Sequence, residues 1–380
     1  MLKKIRLILK TKFFFRKPKK KEILIFDKTH LEFFKNALNL KKERVGHLST
    51  RLEDFNLNVL FRIIYNRKVS YKSYFKQYIK LVDPKIVLTF IDNNLFFYQL
   101  KKDFPNIKFI SVQNGYRFLN DEMLSTLINK KVEKNYYSSD YYFVFNKQMK
   151  KLMEQYIKTE CIVAGSLRNN MLFIKNPNDN LQGNVGFISR FTMPIAESVN
   201  EKNEKNPNYV VHKFSSKLLC NTAEYCKRNN KKLIILTAKP SLLNEQKKYY
   251  EKILKNYQYD YFIKENQLDS YYNLFKVDVL ISPSSTLGSE ALGRGLKVLS
   301  FSEGKILGSN FGWPFIENLQ GPFFSNNYEY ENVDKMISYI EKLSFESWRE
   351  LLNNYSDYTC FFNYDNKMIK NLIKKILDYN

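Results

Sequence analysis

Short apolar runs alternate with longer amphipathic stretches along the first half of the chain. Apolar runs of strand length stand at Glu22–Phe26, Ile86–Ile91, Lys108–Val112, Tyr141–Phe145 and Glu160–Val163. Stretches with the apolar spacing of a helix stand at His30–Leu38, Leu95–Phe104 and Lys147–Tyr156. Strands that alternate with helices in this way are typical of a parallel sheet covered by helices on both faces.

The second half repeats this alternation and then ends in helices. Its predicted strands are Asn184–Ile188, Lys232–Thr237, Tyr261–Lys264, Val277–Ile281 and Lys297–Ser300. Its predicted helices are Val211–Asn229, Glu245–Tyr257, Ser270–Phe275 and Leu287–Gly293, followed by Val333–Leu343, Phe345–Tyr355 and Asn366–Leu377. The pattern therefore predicts an α/β fold with two Rossmann-like halves that face a cleft, and with helices at the C-terminus.

A polar stretch rich in Asn, NPNDNLQ at residues 176–182, separates the two halves. Such a composition is typical of a linker, and the length of 380 residues accords with two domains. We therefore predict a basic N-terminal segment over residues 1–21 and a Rossmann-like domain over 22–178. A second Rossmann-like domain is predicted over 179–355, and a C-terminal helix lies within 356–380.

The chain is strongly basic, with a formal net charge of +24. Lys is spread along the whole chain, which fits a biased codon usage; the other interpretation is a negatively charged partner. The segment from Met1 to Lys21 holds ten Lys or Arg, no acidic residue and the run Phe13–Phe15. This segment fits the surface of an anionic membrane, or a solvated tail with a first strand at Ile5–Leu9.

Targeting signals are weak. No apolar run approaches the roughly 18 residues of a membrane-spanning helix, and no small-residue cleavage site of a signal peptide follows the N-terminal segment. The four cysteines have no metal-type spacing and fit free thiols in a reducing compartment. We therefore predict a cytoplasmic protein that is peripheral at the inner membrane through its basic N-terminus.

The turn after the strand that ends at Ile281 is rich in hydroxyl groups. Ser284, Ser285 and Thr286 precede a predicted helix that carries Glu290. Hydroxyls and backbone N–H groups at a helix N-terminus bind phosphate oxygens, and a carboxylate one turn later is placed to accept hydrogen bonds from ribose hydroxyls. A plain helix cap has the same spacing, and from the spacing alone it is the simpler interpretation.

Lys239 follows another strand of the second half, where its ammonium group offers a point charge to a phosphate; a plain turn is the alternative. Motifs for other ligands are missing from the sequence. GxxxxGK[ST], GxGxxG, DxD and HExxH do not occur. We therefore predict no metal and no cofactor, so that a phosphorylated ligand would be a substrate.

Polar residues also follow strands of the first half. Asp92 and Asn93 stand after one strand, and Asn114 and Arg117 after the next. A strand-end carboxylate can act as a general base or hold sugar hydroxyls, and amide and guanidinium groups bind hydroxyls or carboxylates. The alternatives are a helix N-cap for Asp92 and ordinary turn chemistry for the others. An earlier loop adds Arg51 and Glu53, which are a weak signal by themselves.

Five motifs in this order resemble bacterial surface carbohydrate biosynthesis proteins, of lipopolysaccharide or capsule, with the GT-B type of glycosyltransferase fold. They are KIVLTFIDNN, KFISVQNGYR, AGSLRNN, GFISRF and SSTLGSEALGRGLKVLSFS, between Glu22 and Ser302. The resemblance implies that Ser284, Ser285 and Thr286 bind donor phosphates and that Glu290 binds the ribose. Enzymes of this fold that take CMP-linked donors bind CMP with a His-Pro pair after a strand. The corresponding place in this chain is Lys239-Pro240, which departs from that pair by a Lys in place of the His.

The function that the resemblance implies is transfer of a sugar from a nucleotide-activated donor, a CMP-linked ulosonic acid among the candidates. The acceptor would be a surface glycan or a lipid-linked glycan. We predict Asp92 as the general base, Lys239 as a donor phosphate ligand, and an acceptor- or sugar-binding set made of Arg51, Glu53, Asn93, Asn114 and Arg117. No nucleic-acid partner is predicted, because no RNA-binding module signature is present.

Three alternatives stay open at the level of the sequence. One is a UDP-sugar epimerase of the same fold. Another is a glycerol-phosphate-type transferase, for which His30 and His47 are the N-terminal candidates for the base. The third is a basic, membrane-associated scaffold without catalytic activity, whose binding would fall steeply with salt and would not depend on nucleotide.

Overall fold

The computed structural model describes residues 11–51, 53–67, 69–117, 122–129, 136–174, 183–266, 268–302 and 320–378. The chain forms two compact units. The N-terminal unit comprises the residues up to Met171 apart from a short stretch after Arg117, and it is completed by the end of the chain from Phe361 onwards. The C-terminal unit spans Leu172–Cys360. The predicted linker at 176–182 lies outside the described residues.

The N-terminal unit is built on a parallel six-stranded sheet in the order β3-β2-β5-β6-β7-β8. Its strands are β1 (Lys12–Phe14), β2 (Ile23–Phe26), β3 (Val45–Leu48), β4 (Asp54–Asn56), β5 (Ile86–Thr89), β6 (Lys108–Val112), β7 (Ser138–Val144) and β8 (Lys158–Val163). Its helices are α1 (Leu31–Leu38), α2 (Leu57–Tyr65), α3 (Tyr71–Val82), α4 (Leu95–Leu100), α5 (Glu122–Asn129), α6 (Lys147–Tyr156) and α7 (Leu167–Asn170). Strands β1 and β4 pair separately.

The last helix of the chain completes the core of the N-terminal unit. This helix, numbered α15 (Lys367–Asp378) in chain order, buries Ile369, Ile373 and Ile376. The three side chains pack in one cluster with residues of β2, β5 and α1. The central strands of the sheet are apolar on both faces, as a parallel sheet covered on both sides requires.

The C-terminal unit holds a second parallel six-stranded sheet, in the order β11-β10-β9-β12-β13-β14. Its strands are β9 (Asn184–Ile188), β10 (Lys232–Leu236), β11 (Asp260–Phe262), β12 (Val279–Pro283), β13 (Val298–Phe301) and β14 (Phe324–Ser325). Its helices are α8 (Met193–Ser198), α9 (Pro207–Arg228), α10 (Leu243–Ile253), α11 (Asp269–Leu274), α12 (Thr286–Gly293), α13 (Tyr330–Lys342) and α14 (Phe345–Asn353). The strand order is that of a dinucleotide-binding Rossmann fold.

The predicted fold class is confirmed: both units are Rossmann-like, and helices follow the second sheet. The cleft stays a prediction. The edge strand β3 was not predicted, because Gly46 and His47 interrupt its apolar pattern. The helices α2 and α3 were not predicted either, because no predicted strand delimits the stretch in which they lie. The predicted strand at Ile5–Leu9 lies outside the described residues. None of the described helices is long and apolar enough to cross a membrane.

Candidate functional site

The chain order of the C-terminal sheet reverses between β9 and β12, which are paired neighbours. In open α/β sheets, ligands bind beyond the carboxyl ends of the strands at such a reversal. Strand β9 ends at Ile188 and β12 ends at Pro283, so the turns that follow them lie at the same edge. The hydroxyl-rich turn predicted as a phosphate site therefore occupies the favoured position of this sheet.

The turn after β12 is held by its own serines. Ser284 has a left-handed backbone, with φ of 50°, and its N–H donates to the carbonyl oxygens of Ser282 and Phe301 at 3.1 and 2.9 Å. A non-glycine residue in this conformation costs about 1 to 3 kcal/mol, which surrounding contacts must offset. Ser285 is the N-cap of α12, because its hydroxyl accepts a hydrogen bond from the N–H of Leu287 at 3.3 Å.

Helix α12 lies unusually close to the strand ends at Gly288. A Cβ atom at this position would stand 2.1 Å from the Ser282 hydroxyl oxygen and 3.6 Å from Ile188. A side chain there would collide with the strand end, so glycine allows the first turn of α12 to sit directly above β9 and β12. The N-terminus of α12, with its positive end of the helix dipole, is thereby fixed at the reversal.

Glu290 lies one turn into α12 and is 4% exposed. Both of its carboxylate oxygens accept from the hydroxyl of Tyr271, at 3.1 Å each. Tyr271 belongs to α11 and is itself buried. Glu290, the residue predicted to bind the ribose, is thus held in one orientation behind the N-terminus of α12.

Lys239 follows β10, the strand on the other side of β9, and its side chain is exposed. Within the described residues its ammonium group has no hydrogen-bond or ion-pair partner. A buried network ties the same edge together: Gln246 Oε1 accepts from the Ala238 N–H and from the Ser189 hydroxyl, both at 2.8 Å. Gln246 Nε2 is fully buried without a partner among the described residues. Sequence reasoning did not identify Gln246, since it lies in the middle of an amphipathic helix.

In the N-terminal unit, Asp92 is completely buried beyond the end of β5. Its Oδ2 accepts from Arg117 Nε at 2.9 Å and from the Tyr142 hydroxyl at 2.7 Å. Its Oδ1 accepts from the Asn114 N–H at 3.2 Å and from Arg117 Nη2. The predicted residues Asp92, Asn114 and Arg117 are therefore brought together, as one buried charge network.

Within this network, Asp92 is poorly placed to act as the predicted general base. Both oxygens are occupied by donors, and no part of the side chain is open to an acceptor hydroxyl. The alternative that Asp92 caps the next helix is wrong, because Asn94 caps α4 by accepting from the Phe96 N–H at 3.1 Å. The geometry gives Asp92 a positioning role: it holds Arg117 and the turn after β6. Asn93 beside it is exposed.

A second polar group lies at the ends of β2 and β3. Asp27 is buried and accepts from the Thr29 N–H and hydroxyl at 2.8 and 2.6 Å and from the Thr50 hydroxyl at 2.7 Å. Arg51 Nε lies 3.7 Å from its Oδ2. Burial by itself raises the pKa of Asp27, but these hydrogen bonds and Arg51 outweigh it and hold that pKa below its usual range. Glu53 lies nearby and accepts from the Ser49 hydroxyl.

His30 and Arg168 meet on the ring of Phe90, at the end of β5. The His30 ring lies 5.3 Å from the Phe90 ring centroid, and the Arg168 guanidinium carbon lies 4.9 Å from it. Burial lowers the pKa of His30; Asp27 opposes this shift, and Arg168 and Arg51 add to it. The ordinary pKa of histidine is about 6.5, so this imidazole is neutral at pH 7 and able to accept a proton.

The sheet order explains why these residues converge. The N-terminal sheet reverses its chain order between β2 and β5, and Asp27 and Phe90 directly follow those strands. Sequence reasoning missed Asp27, although its position as the first polar residue after an apolar strand was a usable signal. The other histidine, His47, contacts Asp54 through Nε2 at 3.0 Å and lies on β3.

The chain is similar to a known protein family in sequence and to solved structures in fold. Residues 110–377 match the model of a family described as "putative O-antigen biosynthesis protein". No curated protein matches the chain. The structure is similar to UDP-GlcNAc 2-epimerase from Methanocaldococcus jannaschii in complex with UDP-GlcNAc and UDP, with a TM-score of 0.50 and 13% identity over 95% of this chain and 100% of that one.

Two further solved structures are similar at a lower level. UDP-GlcNAc 2-epimerase from Neisseria meningitidis gives a TM-score of 0.48 at 12% identity, covering 94% of this chain and 99% of that one. A glycosyltransferase from Rickettsia africae gives 0.46 at 14%, covering 96% and 100%. From the first structure we infer the fold alone, which is of the GT-B type. The chain belongs to the family of O-antigen biosynthesis proteins.

Proposed function

We propose that the protein is a glycosyltransferase that transfers a sugar from a nucleotide-activated donor to a surface glycan or a lipid-linked acceptor. The observation that carries this proposal is the arrangement of Glu290 behind the N-terminus of α12, at the strand-order reversal of a Rossmann-like unit. Membership of an O-antigen biosynthesis family supports the same conclusion.

The donor is proposed to bind along the carboxyl edge of the C-terminal sheet. Its phosphates lie at the N-terminus of α12, near Ser284, Ser285 and Thr286, where backbone N–H groups and the helix dipole favour negative charge. The Tyr271 hydroxyl holds the carboxylate of Glu290 in place. A carboxylate accepts hydrogen bonds from hydroxyl groups, so the ribose hydroxyls are proposed to bind at Glu290. Lys239 adds a positive charge at the same edge.

The acceptor is proposed to bind to the N-terminal unit, at the ends of β2, β3 and β5. His30 replaces Asp92 as the proposed general base, because its imidazole is half-buried and neutral and has no ion-pair partner within the described residues. Arg51 and Arg168 flank it with positive charge, so a phosphate on a lipid-linked acceptor is a suitable neighbour. Asp92 acts indirectly, by holding Arg117 in place.

Charge that develops on the leaving nucleotide is proposed to be stabilised by Lys239 and by the α12 N-terminus, which is fixed before the reaction begins. The donor class, CMP-linked ulosonic acids included, is set by contacts to the base and the sugar. The basic N-terminal segment is proposed to keep the enzyme at the inner face of the membrane, where lipid-linked acceptors are found.

The test is transfer of labelled sugar from a panel of nucleotide-sugars to lipid-linked glycans, measured against pH. The base must be neutral, so turnover is expected to rise as pH rises through the pKa of His30, which lies below its usual value. His30→Gln is expected to lower turnover by about 10² to 10⁴-fold and to remove this acid limb. His47→Gln is the matched control and is expected to keep both.

Three outcomes would contradict the proposal. One is conversion of a UDP-sugar to its epimer without any acceptor, which would identify an epimerase. Another is an unchanged acid limb in His30→Gln, which would sink the base assignment. The third is the lack of transfer from every donor in the panel to acceptors that a known transferase uses in the same preparation.

A further inference from the structure

Helix α2 is apolar on two opposite faces. Val59 and Ile63 are buried, whereas Phe61, Ile64 and Tyr65 are exposed, Phe61 by 62% and Tyr65 by 88%. At 3.6 residues per turn, the exposed three lie about half a turn from the buried pair. A surface helix ordinarily places polar residues on that side. The outward face of α2 therefore needs an explanation other than packing within the unit.

Strand β1 extends this apolar surface. It lies beside α2 and pairs with β4, and the Phe13 ring packs edge-on against Phe55 with 6.3 Å between centroids. Phe13 and Phe14 are each 47% exposed, and Phe15 after the strand is 70% exposed. The segment is anchored, since Asn56 Nδ2 donates to the Arg16 carbonyl oxygen at 2.9 Å. We use the term aromatic face for the exposed apolar residues of these two neighbouring segments, which are Phe13, Phe14, Phe15, Phe61, Ile64 and Tyr65.

Positive charge accompanies the aromatic face. The two segments that build it, residues 11–21 and 57–72, hold ten Lys or Arg and no Asp or Glu. Arg16, Arg62 and Arg67 are exposed among them. A second copy of the chain would oppose this charge with the same charge, and the sequence carries no RNA-binding module signature. A partner with negative charge and an apolar layer beneath it fits both features.

The aromatic face adjoins the polar group at the ends of β2 and β3. Tyr71, half-exposed at the start of α3, donates to the Thr50 carbonyl oxygen at 2.9 Å. The Thr50 hydroxyl in turn donates to Asp27 at 2.7 Å. A partner seated on α2 and β1 would therefore lie beside the residues proposed to receive the acceptor.

We propose that the aromatic face is the docking surface for an anionic lipid bilayer. The phenylalanine and tyrosine rings and Ile64 enter the boundary between headgroups and acyl chains, and the surrounding Lys and Arg contact the headgroups. The inference rests on the proposed function in one respect: docking in this orientation presents the polar group at the ends of β2 and β3 to a lipid-linked acceptor. It adds a folded element, α2, to the basic tail as the membrane contact.

The test is co-sedimentation of the full chain with vesicles of phosphatidylglycerol and phosphatidylcholine, against vesicles of phosphatidylcholine alone. The double variant Phe61→Ser/Tyr65→Ser removes apolar area from α2 without changing charge, and Ser has a helix propensity close to that of Phe and Tyr. Affinity for the anionic vesicles is expected to fall about tenfold or more. The matched control is Phe345→Ser/Tyr339→Ser, two exposed rings of the C-terminal unit, which is expected to bind vesicles as the unchanged protein does.

Thermal stabilisation by nucleotides is measured on the same preparations. Retained stabilisation with lost vesicle binding separates docking from the proposed donor site, and lost stabilisation with retained docking would overturn the proposed function alone. The docking inference is overturned if the unchanged protein ignores anionic vesicles or if both double variants bind equally. It is also overturned if the α2 variant instead abolishes self-association, or if RNA displaces the vesicles from the aromatic face.

Discussion

At the scale of single residues, the environment of Asp92 decides its role. The carboxylate is buried with the guanidinium group of Arg117, and the hydroxyl of Tyr142 and the N–H of Asn114 complete its shell. A buried charge that loses its counter-charge is costly, at about 3 to 5 kcal/mol. Asp92 therefore contributes to the fold at the very position where a catalytic carboxylate was predicted.

We predict that Asp92→Asn lowers the free energy of unfolding by about 3 kcal/mol, because Arg117 loses the buried carboxylate with which it pairs. Adding Arg117→Met is expected to recover part of this loss, which a double-mutant cycle in urea measures. Glu204→Gln breaks an exposed ion pair with Lys213 and serves as the control without a measurable effect. Unchanged stability together with lost turnover would restore the general-base assignment.

The residues of the candidate sites were predictable to different degrees. Asp92, Asn114 and Arg117 could be grouped from the sequence because consecutive parallel strands bring their carboxyl ends to one edge. The hydrogen bonds that occupy the oxygens of Asp92 could not be predicted, because one of them comes from Tyr142, which lies fifty positions from Asp92 and reaches it from β7. The pairing of His30 with Arg168 on Phe90 likewise depends on contacts across the fold.

At the scale of elements, α12 is the part of the C-terminal unit on which the proposed donor binding depends. Its position follows from Gly288, which permits contact with Ser282, and from the cap made by Ser285. The sequence predicted this helix within one residue, since a hydroxyl turn and two glycines bracket it. The left-handed backbone of Ser284 was not predictable, because serine rarely adopts it and the contact with Phe301 arises from β13.

We predict that Ser285→Ala lowers the free energy of unfolding by about 1 kcal/mol through loss of the cap and also weakens nucleotide binding. Ser344 caps α14 in the same way, by accepting from the Ser347 N–H at 3.1 Å. Ser344→Ala is expected to cost a similar amount of stability and to leave nucleotide binding unchanged. The measurement is urea unfolding with and without nucleotide, and equal nucleotide effects in both variants would show that the α12 cap has no part in the donor site.

At the scale of the whole molecule, two parallel sheets carry two different polar edges. The C-terminal edge offers a helix N-terminus, an exposed ammonium group and a held carboxylate, whereas the N-terminal edge offers a neutral histidine flanked by arginines. The proposed transfer assigns one of its two substrates to each edge. The return of the chain into the N-terminal unit through α15 was not predictable, because an amphipathic helix does not indicate which core it joins.

The proposed transfer depends most on binding of a nucleotide through Glu290 at the carboxyl edge of the C-terminal sheet. We would measure the thermal unfolding of the protein with CMP, CDP, UDP and GDP at fixed salt. A ligand that binds the folded state alone stabilises it by about 2.7 kcal/mol at one hundred times its Kd. Glu341 provides the matched control, because its carboxylate also accepts from a tyrosine hydroxyl, that of Tyr225 at 2.9 Å. It lies beside Lys231, before the start of β10.

We expect stabilisation by at least one of the four nucleotides. Glu290→Gln is expected to weaken the binding of that nucleotide by about tenfold to a hundredfold, because a hydrogen bond to a charged group is worth about 1.5 to 3 kcal/mol. Glu341→Gln is expected to bind it normally. Stabilisation by none of the four, or equal binding by Glu290→Gln and the unchanged protein, would contradict the donor site and with it the proposed transfer.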